Sequence, residues 1–283
     1  MKKHEETVIR TGCLGPNGTH SEELAATLFA GQGRRLVLYP CIDAVIQAVA
    51  DGEVEDGVVP FENSLEGAVN ITMDTLVHKV DLFITAEVVW PVKNHLMARS
   101  RSGKVKTIVS HPQALAQCRR YLAQHYPGVE VRAMASTAEA AALVASGVEG
   151  HAAIGSRRAA QVHDLEIIAT DIQDEANNCT RFVVLGRTPI KPVSGKGKTS
   201  FVFQIDGEKP GSLWRVLEEF ARRDVNLTRI ESRPARTGLG EYVFFFDLEG
   251  SMADENIRAA LDAIRPKTRW YKELGSYEKQ SLC

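Results

Sequence analysis

Val105-Lys106-Thr107-Ile108-Val109-Ser110-His111-Pro112-Gln113-Ala114-Leu115-Ala116-Gln117-Cys118-Arg119-Arg120-Tyr121-Leu122-Ala123-Gln124-His125 contains a complete structural unit. Residues 105–110 read as an apolar strand. Leu115, Cys118, Tyr121, Leu122 and His125 then recur at helical spacing, which predicts a helix over 112–125. Pro112 sits at the first-turn position that proline tolerates, and Ser110 before it is the expected cap. A polar turn separates strand from helix.

The same rhythm extends to both sides. Strands are expected at 7–14, 35–39, 56–60, 82–90, 129–134, 152–155, 165–170 and 181–186, with helices at 20–30, 42–51, 70–79, 137–147 and 156–161. Strands alternating with helices imply a parallel sheet covered on both faces, and such sheets bind ligands beyond the carboxyl ends of their strands. Polar junctions fall there: Gly15-Pro16-Asn17-Gly18-Thr19-His20-Ser21, Pro60-Phe61-Glu62-Asn63-Ser64-Leu65-Glu66-Gly67, Ser110-His111-Pro112-Gln113 and Ala135-Ser136-Thr137. Any one of them reads as a helix cap. Together they describe an anion-binding cleft built from hydroxyls, amides and helix N-termini.

A further polar run, Asn177-Asn178-Cys179-Thr180-Arg181, enters the apolar strand Phe182-Val183-Val184-Leu185. It places a hydroxyl and a guanidinium at the edge of a core, where buried polar groups need partners. A bound anion is one such partner.

Residues 186–198 carry two prolines, three glycines and four lysines or arginines without apolar periodicity, and read as an extended linker. Beyond it the pattern changes. Strands are expected at 199–206, 226–233, 241–248 and 268–274, with helices beginning at Ser212 and spanning 253–265, in the order βαββαβ of a ferredoxin-like unit. Gly238-Leu239-Gly240 fits the hairpin loop between its central strands. This small domain holds few acid–base candidates, which favours binding or association over catalysis.

The bulk numbers exclude several classes. The chain has 283 residues, 44% apolar and 25% charged, with a net charge of −2, so no electrostatic footprint for nucleic acid or an anionic membrane is present. No apolar run approaches the ~18 residues needed to span a bilayer. Five widely spaced cysteines without a Cys-x-x-Cys pair indicate free thiols and a cytoplasmic location. Eight histidines lack paired spacing, so neither a metal nor another cofactor is expected.

Several segments together resemble the prephenate dehydratases that carry a C-terminal ACT regulatory domain. They are Gly15-Pro16-Asn17-Gly18-Thr19 with Ser21, Pro60-Phe61-Glu62-Asn63-Ser64 with Gly67, Ser110-His111-Pro112-Gln113-Ala114-Leu115 with Gln117-Cys118, Ala153-Ile154-Gly155-Ser156, and Asn178-Cys179-Thr180-Arg181-Phe182. In the second domain Pro210-Gly211-Ser212-Leu213 resembles the family's Gly-Ala-Leu effector segment, and Glu231-Ser232-Arg233-Pro234 matches its Glu-Ser-Arg-Pro segment. The resemblance covers nearly the whole chain. It implies an α/β catalytic region of two lobes, similar to periplasmic binding proteins, followed by a ferredoxin-like ACT domain. Residues 1–187 would be catalytic, with lobes of ~7–88 plus ~168–187 and of ~92–165; 188–198 would be the linker and 199–283 the ACT domain.

The implied reaction converts prephenate to phenylpyruvate, carbon dioxide and water in phenylalanine biosynthesis. The departing carboxylate supplies its own electrons, so no strong base is required. The demands are a donor for the leaving hydroxyl and hydrogen bonds that hold the carboxylates. By motif position Thr180 is the catalytic threonine, and the family implies catalytic roles for Asn63 and Gln117. Substrate binding falls to Ser64, Ser110, Thr19, Thr137, Arg181 and Phe182. Arg181 suits bidentate pairing with a carboxylate or, alternatively, a salt bridge at the lobe junction; Phe182 also reads as core, and His111 reads as structural. Glu62 is a further acid candidate.

Gly211, Ser212, Leu213, Asn226, Leu227, Glu231 and Ser232 would bind the effector, L-phenylalanine, where ACT domains meet in a homodimer or homotetramer. Ser212 replaces the usual alanine, which bears on effector preference. Arogenate dehydratase is the nearest alternative, and a two-lobe metabolite sensor without chemistry is a second. Only about six residues precede the first expected strand, so a fused helical chorismate mutase is not expected.

Overall fold

The computed structural model describes residues 8–192, 194–195 and 197–281. The first lobe begins with β1 (Arg10–Leu14), α1 (His20–Leu28), β2 (Arg35–Tyr39) and α2 (Ile42–Ala50). It continues through β3 (Asp56–Asn63), the short β4 (Gly67–Ala68), α3 (Asn70–His78) and β5 (Phe83–Pro91). The chain then crosses to the second lobe: β6 (His95–Ala98), β7 (Thr107–Ser110), α4 (Pro112–Gln117), α5 (Arg119–His125) and β8 (Glu130–Ala133). That lobe closes with α6 (Thr137–Ala145), β9 (His151–Gly155), α7 (Arg157–Val162) and β10 (Glu166–Ala169), and the chain returns to the first lobe as β11 (Cys179–Gly186).

The C-terminal domain runs β12 (Lys198–Gln204), α8 (Ser212–Ala221), β13 (Leu227–Pro234), β14 (Tyr242–Glu249), α9 (Glu255–Ile264) and β15 (Trp270–Tyr277). This is the expected βαββαβ order, folded into one antiparallel sheet β13-β14-β12-β15. A final strand, β16 (Lys279–Ser281), leaves this domain and pairs in parallel with β5 of the first lobe.

The region expected to be catalytic differs from expectation in its sheets, in a strand and in a helix. Its sheets are mixed rather than parallel: β11 runs antiparallel to both β3 and β5, while β1, β2 and β3 pair in parallel with one another and β16 pairs in parallel with β5. The strand β6 was absent from the sequence reading; His-Leu-Met-Ala is too short to show a period, yet all four residues are buried. The expected helix 112–125 is two helices that break at Cys118, and its cap is His111, whose Nδ1 accepts from the Gln113 amide, rather than Ser110. The alternation still produces two lobes, but β10 belongs to the second lobe's five-stranded sheet, so the return crossing follows Ala169 rather than falling at ~165–168.

The largest apolar core is shared between domains. Phe61, Met73, Leu76, Ile84, Val183 and Leu185 of the first lobe pack in one cluster with Val202, Val243, Phe245, Leu274 and Tyr277 of the C-terminal domain. Gly275 marks the closest approach: at φ +137, a Cβ there would lie 2.4 Å from the Ile84 carbonyl oxygen. Cys13, Cys41 and Cys118 are free thiols. Cys179 is disulfide-bonded, which corrects the expectation of free thiols throughout; the same expectation for Cys283 falls outside the described residues.

Candidate functional site

A cavity of about 320 Å³ opens between the lobes, lined from four directions. The β1–α1 junction gives Leu14, Gly15, Thr19, His20 and Ser21; the strand ends give Asn63 and Thr180; the crossing gives Val92 and Asn94. The second lobe adds His111, Gln113, Ala114, Gln117, Ala135, Ser136 and Thr137. All four of the expected polar junctions therefore meet around one space.

Its centre is a pair formed by strand register. Thr180 lies opposite Asn63 in the β11–β3 ladder. Asn63 Nδ2 donates to Thr180 Oγ1 at 2.9 Å and to Asn178 Oδ1 at 2.9 Å, while Asn63 Oδ1 accepts the Leu65 and Glu66 amides. The Asn63 side chain is thereby locked by the turn that follows β3. An amide that donates to the threonine oxygen leaves the hydroxyl's own hydrogen to point elsewhere. The cavity is where an acceptor can meet it.

Among the described residues, the lining carries no carboxylate, no lysine and no arginine. Positive potential comes instead from the N-termini of α1 and α6, whose first residues line the space. Thr19 caps α1, accepting the Glu22 amide while donating to the Leu14 carbonyl, and Ser136 caps α6 by accepting the Glu139 amide. Capping and cavity lining are thus done by the same residues. Gln117 Oε1 accepts from Asn94 Nδ2 at 3.2 Å, which turns its amide toward the interlobe space. The lobes are bridged beside the cavity: Ser156 Oγ donates to the Gly18 carbonyl and Arg158 binds Glu22.

Of the expected site residues, Thr180, Asn63, Gln117, Thr19 and Thr137 line the cavity. The remaining expectations need correction. Ser64 is exposed and spends its hydroxyl donating to the Asn177 carbonyl and accepting the Cys179 amide, tying two loops together. Ser110 is fully buried and donates to the Ile154 carbonyl. Phe182 packs in a core with Cys13, Leu24, Val58 and Val88.

Arg181 points away from the cavity altogether. Its guanidinium is buried against Glu87, Asp247 and the Tyr277 hydroxyl, the last two from the C-terminal domain. A strand's side chains alternate, so when Thr180 faces the cleft, Arg181 must face the other domain.

His20 and Asn94 also belong to the lining but were not singled out from sequence. His20 lay within a recognised segment, and both its ring nitrogens are buried without a hydrogen-bond partner. Asn94 had no sequence signal at all. His111, read as structural, both caps α4 and lines the cavity. Beneath it all, burial and the nearby Arg157 hold His95 below the usual histidine range, so it stays neutral and accepts the Asp171 amide.

In the C-terminal domain Gly211 adopts φ +77 and caps α8, whose first residues are Ser212 and Leu213. The Ser212 hydroxyl donates to the Lys209 carbonyl. Asn226 binds Glu249, and Leu227 opens the edge strand β13. Of the expected effector residues on β13, Glu231 faces Arg229 at 3.7 Å and Ser232 is exposed.

Comparison with known proteins gives two family matches: the prephenate dehydratase family over residues 11–190 and the ACT domain over residues 204–266. A prephenate dehydratase from Lactococcus lactis is 38% identical over 97% of this chain and 99% of its own length. Among solved structures, a prephenate dehydratase from Arthrobacter aurescens in complex with L-Phe superposes with a TM-score of 0.87 at 32% identity, covering 96% of this chain and 90% of its own. A structure described as GqqA, a novel type of quorum quenching acylase, has a TM-score of 0.84 at 28% identity and covers 96% and 98%.

Proposed function

The chain belongs to the prephenate dehydratase family, and on that premise we propose that its interlobe cavity carries out the decarboxylative dehydration of prephenate through the Asn63–Thr180 pair. The carbon–carbon bond to the ring carboxylate breaks and releases carbon dioxide. Its electron pair aromatises the ring and expels the hydroxyl at the opposite carbon, which leaves as water after taking one proton. The product is phenylpyruvate.

Three demands of that reaction match the cavity. No base is required, and the lining holds no carboxylate. The leaving oxygen gains charge as the bond breaks, and the Thr180 hydroxyl, its oxygen already bound by Asn63, is the donor aimed at it. The dianionic substrate needs electropositive anchors, and the α1 and α6 N-termini supply them through Thr19, His20, Ser21, Ser136 and Thr137. Gln117 and Asn94 bind the polar edges of the substrate from the second lobe. The contact made to the Thr180 oxygen is an N–H from Asn63 rather than a proton acceptor, which suits a hydrogen-bond donor better than a nucleophile.

The ACT domain carries feedback control by L-phenylalanine, bound near Gly211, Ser212 and Leu213 where copies of this domain meet in a homo-oligomer. The chain works in phenylalanine biosynthesis in the cytoplasm.

The deciding observation is the Thr180–Asn63 pair in a carboxylate-free cavity. Its test is a turnover assay with prephenate, following phenylpyruvate absorbance with and without phenylalanine, and in parallel with arogenate, whose elimination product is phenylalanine and is followed by chromatography. Prephenate turnover with a higher kcat/KM than arogenate is expected. A reversed preference replaces the substrate, and turnover of neither sinks the reading.

A further inference from the structure

Thr180 and Arg181 are consecutive, yet they face different domains. Opposite them in the ladder, Asn63 and Glu62 do the same. The Asn63–Thr180 rung therefore faces the cavity, and the adjacent Glu62–Arg181 rung faces the C-terminal domain.

The second rung is embedded in a closed ionic network. Arg181 Nε donates to Glu87 at 2.6 Å, Nη1 binds Asp247, Nη2 donates to the Tyr277 hydroxyl at 2.9 Å, and Glu62 lies 3.6 Å away. Lys198 Nζ completes Glu87 at 2.8 Å. Ser200 ties Asp247 to Tyr277. Asp247, Tyr277, Ser200 and Lys198 all belong to the C-terminal domain.

A second arginine arrives from the edge strand of that domain: Arg229 Nε lies 3.3 Å from the same Glu62 carboxylate. Both guanidiniums lie over the Phe61 ring, 4.9 Å and 5.1 Å from its centroid. The β3–β11 register shifts at this point, leaving Phe61 as the extra residue between the Phe182–Pro60 and Arg181–Glu62 pairs. Such a bulge re-aims the side chains beside it.

We propose that Arg181 is a positioning residue through which the C-terminal domain holds Thr180 in its reactive orientation, the guanidinium clamping the Glu62–Phe61 bulge that sets the Asn63–Thr180 rung. Arg181 does not touch substrate. Its role rests on the dehydratase reading above, and it makes the cavity's geometry depend on how Asp247, Tyr277 and Arg229 are arranged in the other domain. A change there that moves β13 or β14 changes kcat before it changes substrate binding.

The test measures kcat, KM, Tm and half-inhibition by phenylalanine for Arg181→Lys, Asp247→Asn and Tyr277→Phe, after parent turnover of prephenate is established. Arg181→Lys and Asp247→Asn are each expected to lower kcat about tenfold or more, with KM within twofold, as misplacement of a reacting group does. Their double variant is expected to cost no more than the worse single change, since both break one network. Half-inhibition by phenylalanine is expected to shift at least threefold in both.

A tenfold rise in KM at retained kcat overturns the proposal, because Arg181 then binds substrate itself. So does a lowered Tm with kcat and the phenylalanine response unchanged well below Tm, the signature of a mere brace. Should the charged variants fail to fold, Tyr277→Phe decides: about a threefold loss of kcat at constant KM supports the proposal, and parent-like kcat overturns it. A parent without prephenate turnover overturns both readings.

Discussion

Replacing Thr180 by alanine removes the hydroxyl that Asn63 holds at the cavity. We expect kcat to fall roughly 10²–10³-fold, the scale of losing one transition-state donor, with little change in fold or KM. Steady-state kinetics and a near-parent Tm check this. Cysteine chemistry offers a separate check on the interior: burial pushes the Cys13 and Cys118 thiols up to about 12, while Cys41 is exposed. Iodoacetamide applied to the native protein at neutral pH is expected to modify Cys41 and spare the other two, as read by peptide mass spectrometry. Thr180, Asn63 and Gln117 were legible as residues because their segments carry the family's order and spacing. The direction of Arg181 was not. It depends on Asp247, 66 positions away, and no local pattern states which face of a buried strand meets which domain.

Among the elements, strand–helix units were readable because burial imposes a period on each of them. What escaped were pieces too short to have a period, such as β6, β4 and β16, and the antiparallel placement of β11, which comes from a long return crossing. The β1–α1 junction shows how little slack the lobe contact has. Gly18 has φ +91, and a Cβ there would lie 2.8 Å from the Ala159 Cα in the other lobe. Gly18→Ala adds both backbone strain, about 1–3 kcal/mol, and a wedge between lobes. We expect Tm to drop by about 2–10 °C and kcat to fall with a raised KM, since Thr19 and His20 move relative to Thr137. Parent-like kinetics in this variant would mean that the lobe spacing is not set here.

For the whole molecule, the shared core means the catalytic region and the C-terminal domain melt together. Phe61 and Ile84 pack with Phe245, Leu274 and Tyr277, so calorimetry is expected to show no separate transition for the C-terminal domain. Acid should uncouple them. Burial alone would raise the Asp247 carboxyl, but Arg181 and the Ser200 hydroxyl hold it below the usual range, and Arg233 and Arg236 do the same for the partly buried Asp74 on α3. Carboxyls depressed in the folded state contribute stability that is complete above their unfolded value, about 3.9. That stability is lost as pH falls through the folded values. Tm should therefore be flat with respect to these two groups above about pH 5 and decline below pH 4; Asp247→Asn should flatten that decline. A decline of equal steepness in the variant would assign the acid sensitivity elsewhere.

The return of β16 to the edge of the first sheet has a consequence for how the protein is made. The strand that pairs with β5 is translated only after the entire span 198–277. Until that span has been synthesised, the β5 edge at Glu87–Val89 has no β16 to pair with. Completion of the seven-stranded sheet therefore requires the C-terminal domain to be synthesised first.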